Sequence, residues 1–250
     1  MLQCLQKRTR CSRKVVKRSI ESKGCLRNGR IERFSSFRVR AHERIAFRII
    51  EKPQWKVVYE DRWFLVYEKP PFAICEGTEF IHRLDKESSG LVMVAKSPDV
   101  KTRFIALFKE QQVHKEYVAL IEGAVRGAQG TIKRPIALIE RGIGFKRMGI
   151  SSKGGKTAVT HWKLLCKKGA YAALSFRIET GRTHQIRVHC ASMNWSILGD
   201  HTYGTSRASV RRMCLHATKL SFIHPFTKQQ CLFQSPSPWD EKSLSAHSFV

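Results

Sequence analysis

Runs of β-rich residues, each closed by turn formers, leave this chain few architectures. "VVYEDRWFLVYEKP" (57–70) holds two such runs around Glu60-Asp61, a hairpin signal. "GLVMVAK" (90–96) is almost wholly apolar and reads as a buried strand. "VHKEYVALIEG" (113–123) alternates and stops at Gly123, and "TAVTHWKLL" (157–165) and "YAALSFRIE" (171–179) are further strands. Helical spacing is confined to a few places. In "SPDVKTRFIALFKEQQ" (97–112) Ser97 is a natural cap and Pro98 takes the first helical position. Val100, Phe104, Leu107 and Phe108 then recur on one face. "THQIRVHCASM" (183–193) sets Ile186, Cys190 and Met193 at helical spacing after the turn "TGR". Residues 126–156, rich in Gly, Lys and Arg, read as long basic loops carrying short strands. Strands mixed with few helices predict an α+β fold on a mixed, largely antiparallel sheet.

The chain has 250 residues, enough for one sizeable core or for a core domain with a small appendage. Its formal net charge is +26, with the acids spread along the chain, so this is no simple basic tail. A field that strong favours a polyanionic partner, and nucleic acid is the first candidate. A membrane is not expected, because the sequence shows no apolar run of transmembrane length and no secretory signal. The eight cysteines form no Cys-x-x-Cys pair. That argues against a zinc site and a disulfide framework, and they read as reduced thiols in an intracellular compartment.

Residues 1–50 hold fifteen Lys/Arg against three Glu. Ser12 caps a helix expected over 12–23, with Gly24 as its stop. Val16 and Ile20 share one face. Arg13/Lys17 and Lys14/Arg18 stack like charges four apart, which costs stability unless a polyanion lies against them. An Asn-Gly turn follows, then short strands at "FRVR" and "IAFRI". This order resembles the S4-type RNA-binding domain with a truncated first helix. The organisation expected is an S4-like α/β domain at 1–50, a linker "EKPQW" at 51–55, a larger domain at 56–236 and a tail at 237–250.

Six motifs carry the larger domain: "VVYEDRWFLVYEKP", "HRLDKESSGLVMVAK", "KEYVALIEG", "GKTAVTHWKLL", "TGRTHQIRVHCASMNWSILGDHTYG" and "LHATKLSFIHP". Their order resembles the pseudouridine synthase family of the RluA type. The resemblance implies that fold, with a central RNA-binding cleft, and isomerisation of uridine in RNA without cofactor or metal. The base is detached at N1, rotated and rejoined through C5. By the family pattern Asp85 is the carboxylate that acts on the sugar, Arg187 its fixed cation, and Tyr117 the ring that stacks on the uracil. Arg83 matches the residue that enters the RNA stack as the target nucleotide flips out. His82 lies beside it, and Leu215 matches an apolar residue lining the uracil pocket. His184 and His189 read as hydrogen-bonding partners, since no third metal ligand has suitable spacing.

Arg13, Lys14, Lys17 and Arg18, with Lys133, Arg134, Lys146, Arg147, Lys153 and Lys156, are the expected phosphate contacts. Ribosomal RNA is favoured over transfer RNA, with a ribosomal subunit precursor as a further expected partner. Only twelve residues separate Lys69 from His82, where many relatives carry a longer stretch. That shortening favours an alternative, a catalytically silent ribosome-assembly factor that keeps the fold to bind RNA. The Arg-rich, acid-free first twenty residues favour a mitochondrial over a cytoplasmic location.

Overall fold

The structure is a computed structural model. It describes residues 2–20, 24–32, 35–50, 55–142, 145–204, 210 and 212–239. Outside these lie residues 21–23 of the helix expected over 12–23, residues 51–54 of the expected linker, and 240–250 of the expected tail. The chain divides into two compact units, Met1–Gln54 and Trp55–Val250.

The first unit contains α1 (Leu2–Thr9), α2 (Arg13–Ser19), β1 (Cys25–Arg27), β2 (Arg30–Ile31) and β3 (Ile45–Phe47). The Ser12 hydroxyl accepts the Val15 N–H and starts α2. Its α-helical span closes on Ile20 as C-cap, and the expected stop at Gly24 follows residues that lie outside those described. Val16 and Ile20 are wholly buried and share a small core with Leu5 and Cys25. Helix α1 is unexpected from its basic sequence; burial of Leu5 holds it. Asn28 and Gly29 both take positive φ (50° and 80°), as a two-residue hairpin turn between β1 and β2 requires. The sheet runs β2-β1-β3. "FRVR" is not a strand: the Arg27 guanidinium covers the Phe37 ring at 3.8 Å, and the segment joins no ladder.

The second unit carries β4 (Lys56–Glu60), β5 (Phe64–Lys69), β6 (Ser89–Ala95), α3 (Pro98–Lys109), β7 (His114–Glu122), β8 (Gln129–Lys133), β9 (Ile136–Gly142) and β10 (Phe145–Ile150). It continues with β11 (Val159–Lys168), β12 (Tyr171–Ile178), α4 (Gln185–Ser192), β13 (Ser196–Ile197), β14 (Leu215–Ile223) and β15 (Gln230–Gln234). One sheet runs β4-β5-β6-β14-β7-β12-β11-β8, with β13 on β7 and β15 on β14. All its pairings are antiparallel except β6 with β14. All seven residues of β6 are buried, as its apolar run demands. Ser97 and Pro98 open α3, whose Phe104 packs on Phe64 and Phe222. In α4, Ile186 and Cys190 are buried, but Met193 is the C-cap and 36% exposed, because the helix stops one residue short of it. Much of the expected loop region after Lys133 is a hairpin of β9 and β10, a separate two-stranded sheet.

The β6–β14 pairing sets the seam where the site lies. It lasts only two residues, His216 with Ser89 and Ala217 with Gly90. Gly90 has φ of 108°, and a Cβ there would collide with the Ala217 carbonyl oxygen. Only glycine permits that approach. Farther along β6 the backbone of Glu79–Ile81 occupies the vacated edge, with Ile81 N–H on the Met93 carbonyl and Ala95 N–H on the Glu79 carbonyl.

Candidate active site

Asp85 sits in irregular chain just before β6, held from behind by backbone. Its carbonyl accepts the Ser88 N–H at 3.2 Å. The next carbonyl, of Lys86, accepts the Phe72 N–H at 2.7 Å and the Lys69 ammonium at 3.2 Å. Lys69 is fully buried and also donates to the carbonyls of Pro70 and Ala73. Burial pushes its amine down to about 8. One desolvated cation thus pins the turn after β5 to the loop carrying Asp85, an architectural role for Lys69.

The side chain of Asp85 is 22% exposed, and its Oδ2 accepts from Arg187 Nη1 at 3.1 Å. Arg187 lies on α4, 3% exposed, and cannot swing freely. Its Nε and Nη2 donate to the two carboxylate oxygens of Asp200, both at 2.8 Å. Asp200 is itself fixed by the N–H groups of Thr202 and Tyr203. Burial opposes the Arg187 charge, but Asp200, and then Asp85, outweigh it and hold the guanidinium above its ordinary value. Burial likewise pushes the Asp200 carboxyl up, and Arg187 and the two backbone donors overcome it and hold the group low. One guanidinium therefore divides its donors between a buried carboxylate and an accessible one. The fork geometry of arginine makes this possible.

Sequence reasoning missed Asp200. The signal was present in "GDHTYG", where an acid opens a turn, but nothing local ties it to an arginine thirteen residues earlier. It also missed Tyr203, whose ring lies 5.0 Å from the Arg187 guanidinium. Tyr203 Oη accepts the Met148 N–H at 2.8 Å and lies 2.7 Å from His184 Nδ1. His184 Nε2 lies 3.9 Å from Asp85 Oδ1. Burial lowers the His184 pKa, against the pull of Asp85, and the ring is neutral. His184 also sits in the left-handed region at φ 56°, where it enters α4.

Tyr117 is 8% exposed on β7, in one apolar cluster with Ile186, Leu215 and the flanking Leu84. Burial, then the Asp85 charge, raises its pKa and keeps the phenol protonated. Asp85, Tyr117, Arg187 and Leu215 thus converge from an irregular loop, two adjacent strands and a helix. Arg83 is exposed beside them. His82, expected at the substrate, turns to the scaffold: its Nε2 accepts the Met93 N–H at 3.2 Å and its ring packs 5.1 Å from Phe108. Burial, then the Lys115 charge, pushes it down to about 3, and it is neutral. His189 bridges the Thr160 hydroxyl (2.8 Å) and the Arg134 carbonyl (3.0 Å). Among the described residues no group of three or more His, Cys, Asp or Glu could hold a metal. No described helix is long and apolar enough to cross a membrane.

Of the expected phosphate contacts, Lys133, Arg134, Lys146, Arg147, Lys153 and Lys156 are exposed, and Arg134 reaches the Ser192 carbonyl at 3.0 Å. In the first unit Arg13, Lys14 and Lys17 are exposed. Arg18 departs from the stripe: its guanidinium donates through Nε and Nη2 to the Ile50 carbonyl, at 3.3 and 3.1 Å, and is half-buried.

Residues 64–192 match the profile of the RNA pseudouridylate synthase family. The chain is 36% identical over 174 residues to the ribosomal large subunit pseudouridine synthase D of Zymomonas mobilis, covering 66% of this chain and 54% of that protein. An uncharacterized RNA pseudouridine synthase of the same organism is 38% identical over 160 residues, covering 63% of this chain and 72% of that one. Among solved structures, human RNA pseudouridylate synthase domain containing 1 superposes with a TM-score of 0.65 at 27% identity, covering 78% of this chain and 89% of that one. The chain spans about half the length of the first curated relatives it matches.

Proposed function

The chain belongs to the RNA pseudouridylate synthase family, and we propose that it isomerises uridine to pseudouridine in structured RNA. The observation that carries this reading is the accessible Asp85 carboxylate, 3.1 Å from an arginine that Asp200 holds by two further hydrogen bonds. A carboxylate so placed is oriented by a fixed cation. It serves as nucleophile or base against the ribose while the glycosidic bond breaks. Tyr117 supplies the face on which the uracil stacks, and Leu215 the apolar wall. Arg83, exposed beside Asp85, fills the space left in the RNA as the target nucleotide flips out. Unstacking costs a few kcal/mol, offset by stacking and phosphate contacts. The reaction so described uses no metal or cofactor.

Ribosomal RNA is the substrate we favour, with a ribosomal subunit precursor as partner. The net charge of +26 and the name of the Zymomonas relative support it. The first unit, two helices on a three-stranded sheet with basic α2 exposed, supports an S4-like role in gripping RNA. A mitochondrial location belongs to the same reading and rests on the basic, acid-free first twenty residues.

The test incubates the full chain with ribosomal and transfer RNA transcripts and maps pseudouridine at single-nucleotide resolution. The expected result is new pseudouridine at defined ribosomal positions. RNA that binds tightly and is never isomerised overturns the enzymatic reading and puts the assembly-factor role in its place, for which the short irregular path from Lys69 to His82 speaks.

A further inference from the structure

Lys115 is a buried cation that the chemistry above does not use. It lies on β7, 9% exposed, two residues before Tyr117. Strand alternation puts the two side chains on the same face of the sheet. Among the described residues its ammonium has no hydrogen-bond acceptor and no ion-pair partner. What it faces is the Phe108 ring, 5.1 Å from Nζ. The neighbouring acid, Glu116, points to the opposite face and pairs with Lys219 at 3.4 Å. His82, the ionisable side chain that senses the Lys115 charge, is neutral. Burial alone draws the Lys115 amine down to about 8, and no counter-charge offsets it.

Burial strips this ammonium of much of its water, and the ring face replaces little of it. Groups so desolvated are found where a ligand completes them. The way out is visible. A Cβ on Gly181 would stand 3.8 Å from Lys115 Nζ, and Gly181 is exposed. Gly181 belongs to the turn that leads into His184 and α4. The ammonium thus lies on the Tyr117 face of the sheet, beside the exposed Gly181 turn.

We infer that Lys115 receives a phosphodiester oxygen of the RNA strand next to the target nucleotide, a binding role distinct from the Asp85 chemistry. An anionic oxygen supplies the charge that the protein withholds, and a compact ammonium suits a single phosphate oxygen as a point partner. This inference rests on the proposed RNA substrate. It adds a phosphate subsite that fixes the backbone while the base is turned toward Tyr117.

The test uses the full chain and a synthetic RNA stem–loop with uridines in its loop. Lys115→Met keeps the side-chain length and removes the charge. The expected affinity loss is about tenfold, the scale of one hydrogen bond to a charged group. The log–log salt slope should become shallower by about 0.7, the share of one single-strand phosphate. The thermal midpoint of the free protein should not fall, since an uncompensated charge is removed. A single methylphosphonate in the loop should weaken wild type at one position and leave Lys115→Met unaffected there. On the wild type itself, the Lys115 amine followed by NMR should titrate higher with RNA bound. Wild-type binding that Lys115→Met leaves unchanged, or a titration that RNA does not move, overturns the subsite alone. Failure of wild type to bind the RNA overturns both the subsite and the proposed function.

Discussion

In helix α2 three cations, Arg13, Lys14 and Lys17, face solvent within two turns, whereas in α4 Arg187 is 3% exposed between two carboxylates. The two helices use positive charge for different ends. Exposed cations with long, mobile side chains attract a polyanion at a distance, and they fix neither its register nor its sequence. A buried guanidinium with each of its three nitrogens bonded to a carboxylate oxygen attracts little from afar, but it places one carboxylate to within a hydrogen bond. Arg18 shows where the first mode gives way to the second. Folding onto the Ile50 carbonyl, it relieves the Lys14/Arg18 repulsion and becomes part of the unit's own structure.

The largest effect that would break this contrast is at Asp85. Asp85→Asn keeps the shape and a partner for Arg187 but removes the reactive oxygen charge. We predict that pseudouridine formation falls below detection while RNA affinity stays within about threefold, since phosphate contacts supply most of the affinity. Turnover by the Asn variant would show that the accessible carboxylate is not the working group. Next comes Arg187→Ala. It leaves the Asp200 carboxylate, 1% exposed, buried and without its cation. The expected loss is about 3–5 kcal/mol in urea unfolding. A variant as stable as wild type would put Arg187 in the exposed class.

A smaller effect separates the two modes by pH. The Asp200 carboxyl is held below its ordinary value. Its contribution is therefore complete above the unfolded value near 4, and it is lost as the pH falls from there through the folded value. Asp200→Asn should lose that increment at neutral pH and fall off less steeply in acid, as read from urea midpoints across a pH series. Profiles that stay parallel would contradict the pairing. The smallest effect belongs to α2. Replacing Arg13, Lys14 and Lys17 with Gln should leave the melting midpoint unchanged. The salt slope of RNA binding should become shallower by about 0.7 for each single-strand phosphate no longer neutralised. Adding Arg18→Gln should lower the midpoint, because the Ile50 carbonyl loses its donor. A fourfold variant that melts like the threefold one would return Arg18 to the exposed stripe.

What could be read from the sequence followed the range of the forces involved. Local signals held: Ser97-Pro98 opens α3, Asn28-Gly29 turns the β1–β2 hairpin, and the apolar run at 90–96 is buried through Ala95. Asp85, Arg187 and Tyr117 were nameable because each sits in a recognisable motif. The parts that escaped depend on distant pairing. Asp200 has no local mark of its arginine, and Lys115 reads as one more lysine until its surroundings are seen. His82 stands next to Arg83 in sequence, yet a strand partner, Met93, claims its ring nitrogen. Helix α1 escaped for the opposite reason, since its apolar positions are too few to show a period and one buried leucine suffices.

The shared guanidinium has a consequence for how charge is distributed over time. At rest Asp85, Asp200 and Arg187 together carry one excess negative charge. In the proposed reaction Asp85 loses its charge on either route, by bonding to the sugar or by taking a proton. What then remains buried is a neutral pair, Arg187 with both oxygens of Asp200. The excess negative charge thus passes to the detached uracil, which leaves as an anion, while the buried protein groups stay paired and none is stranded when Asp85 is consumed.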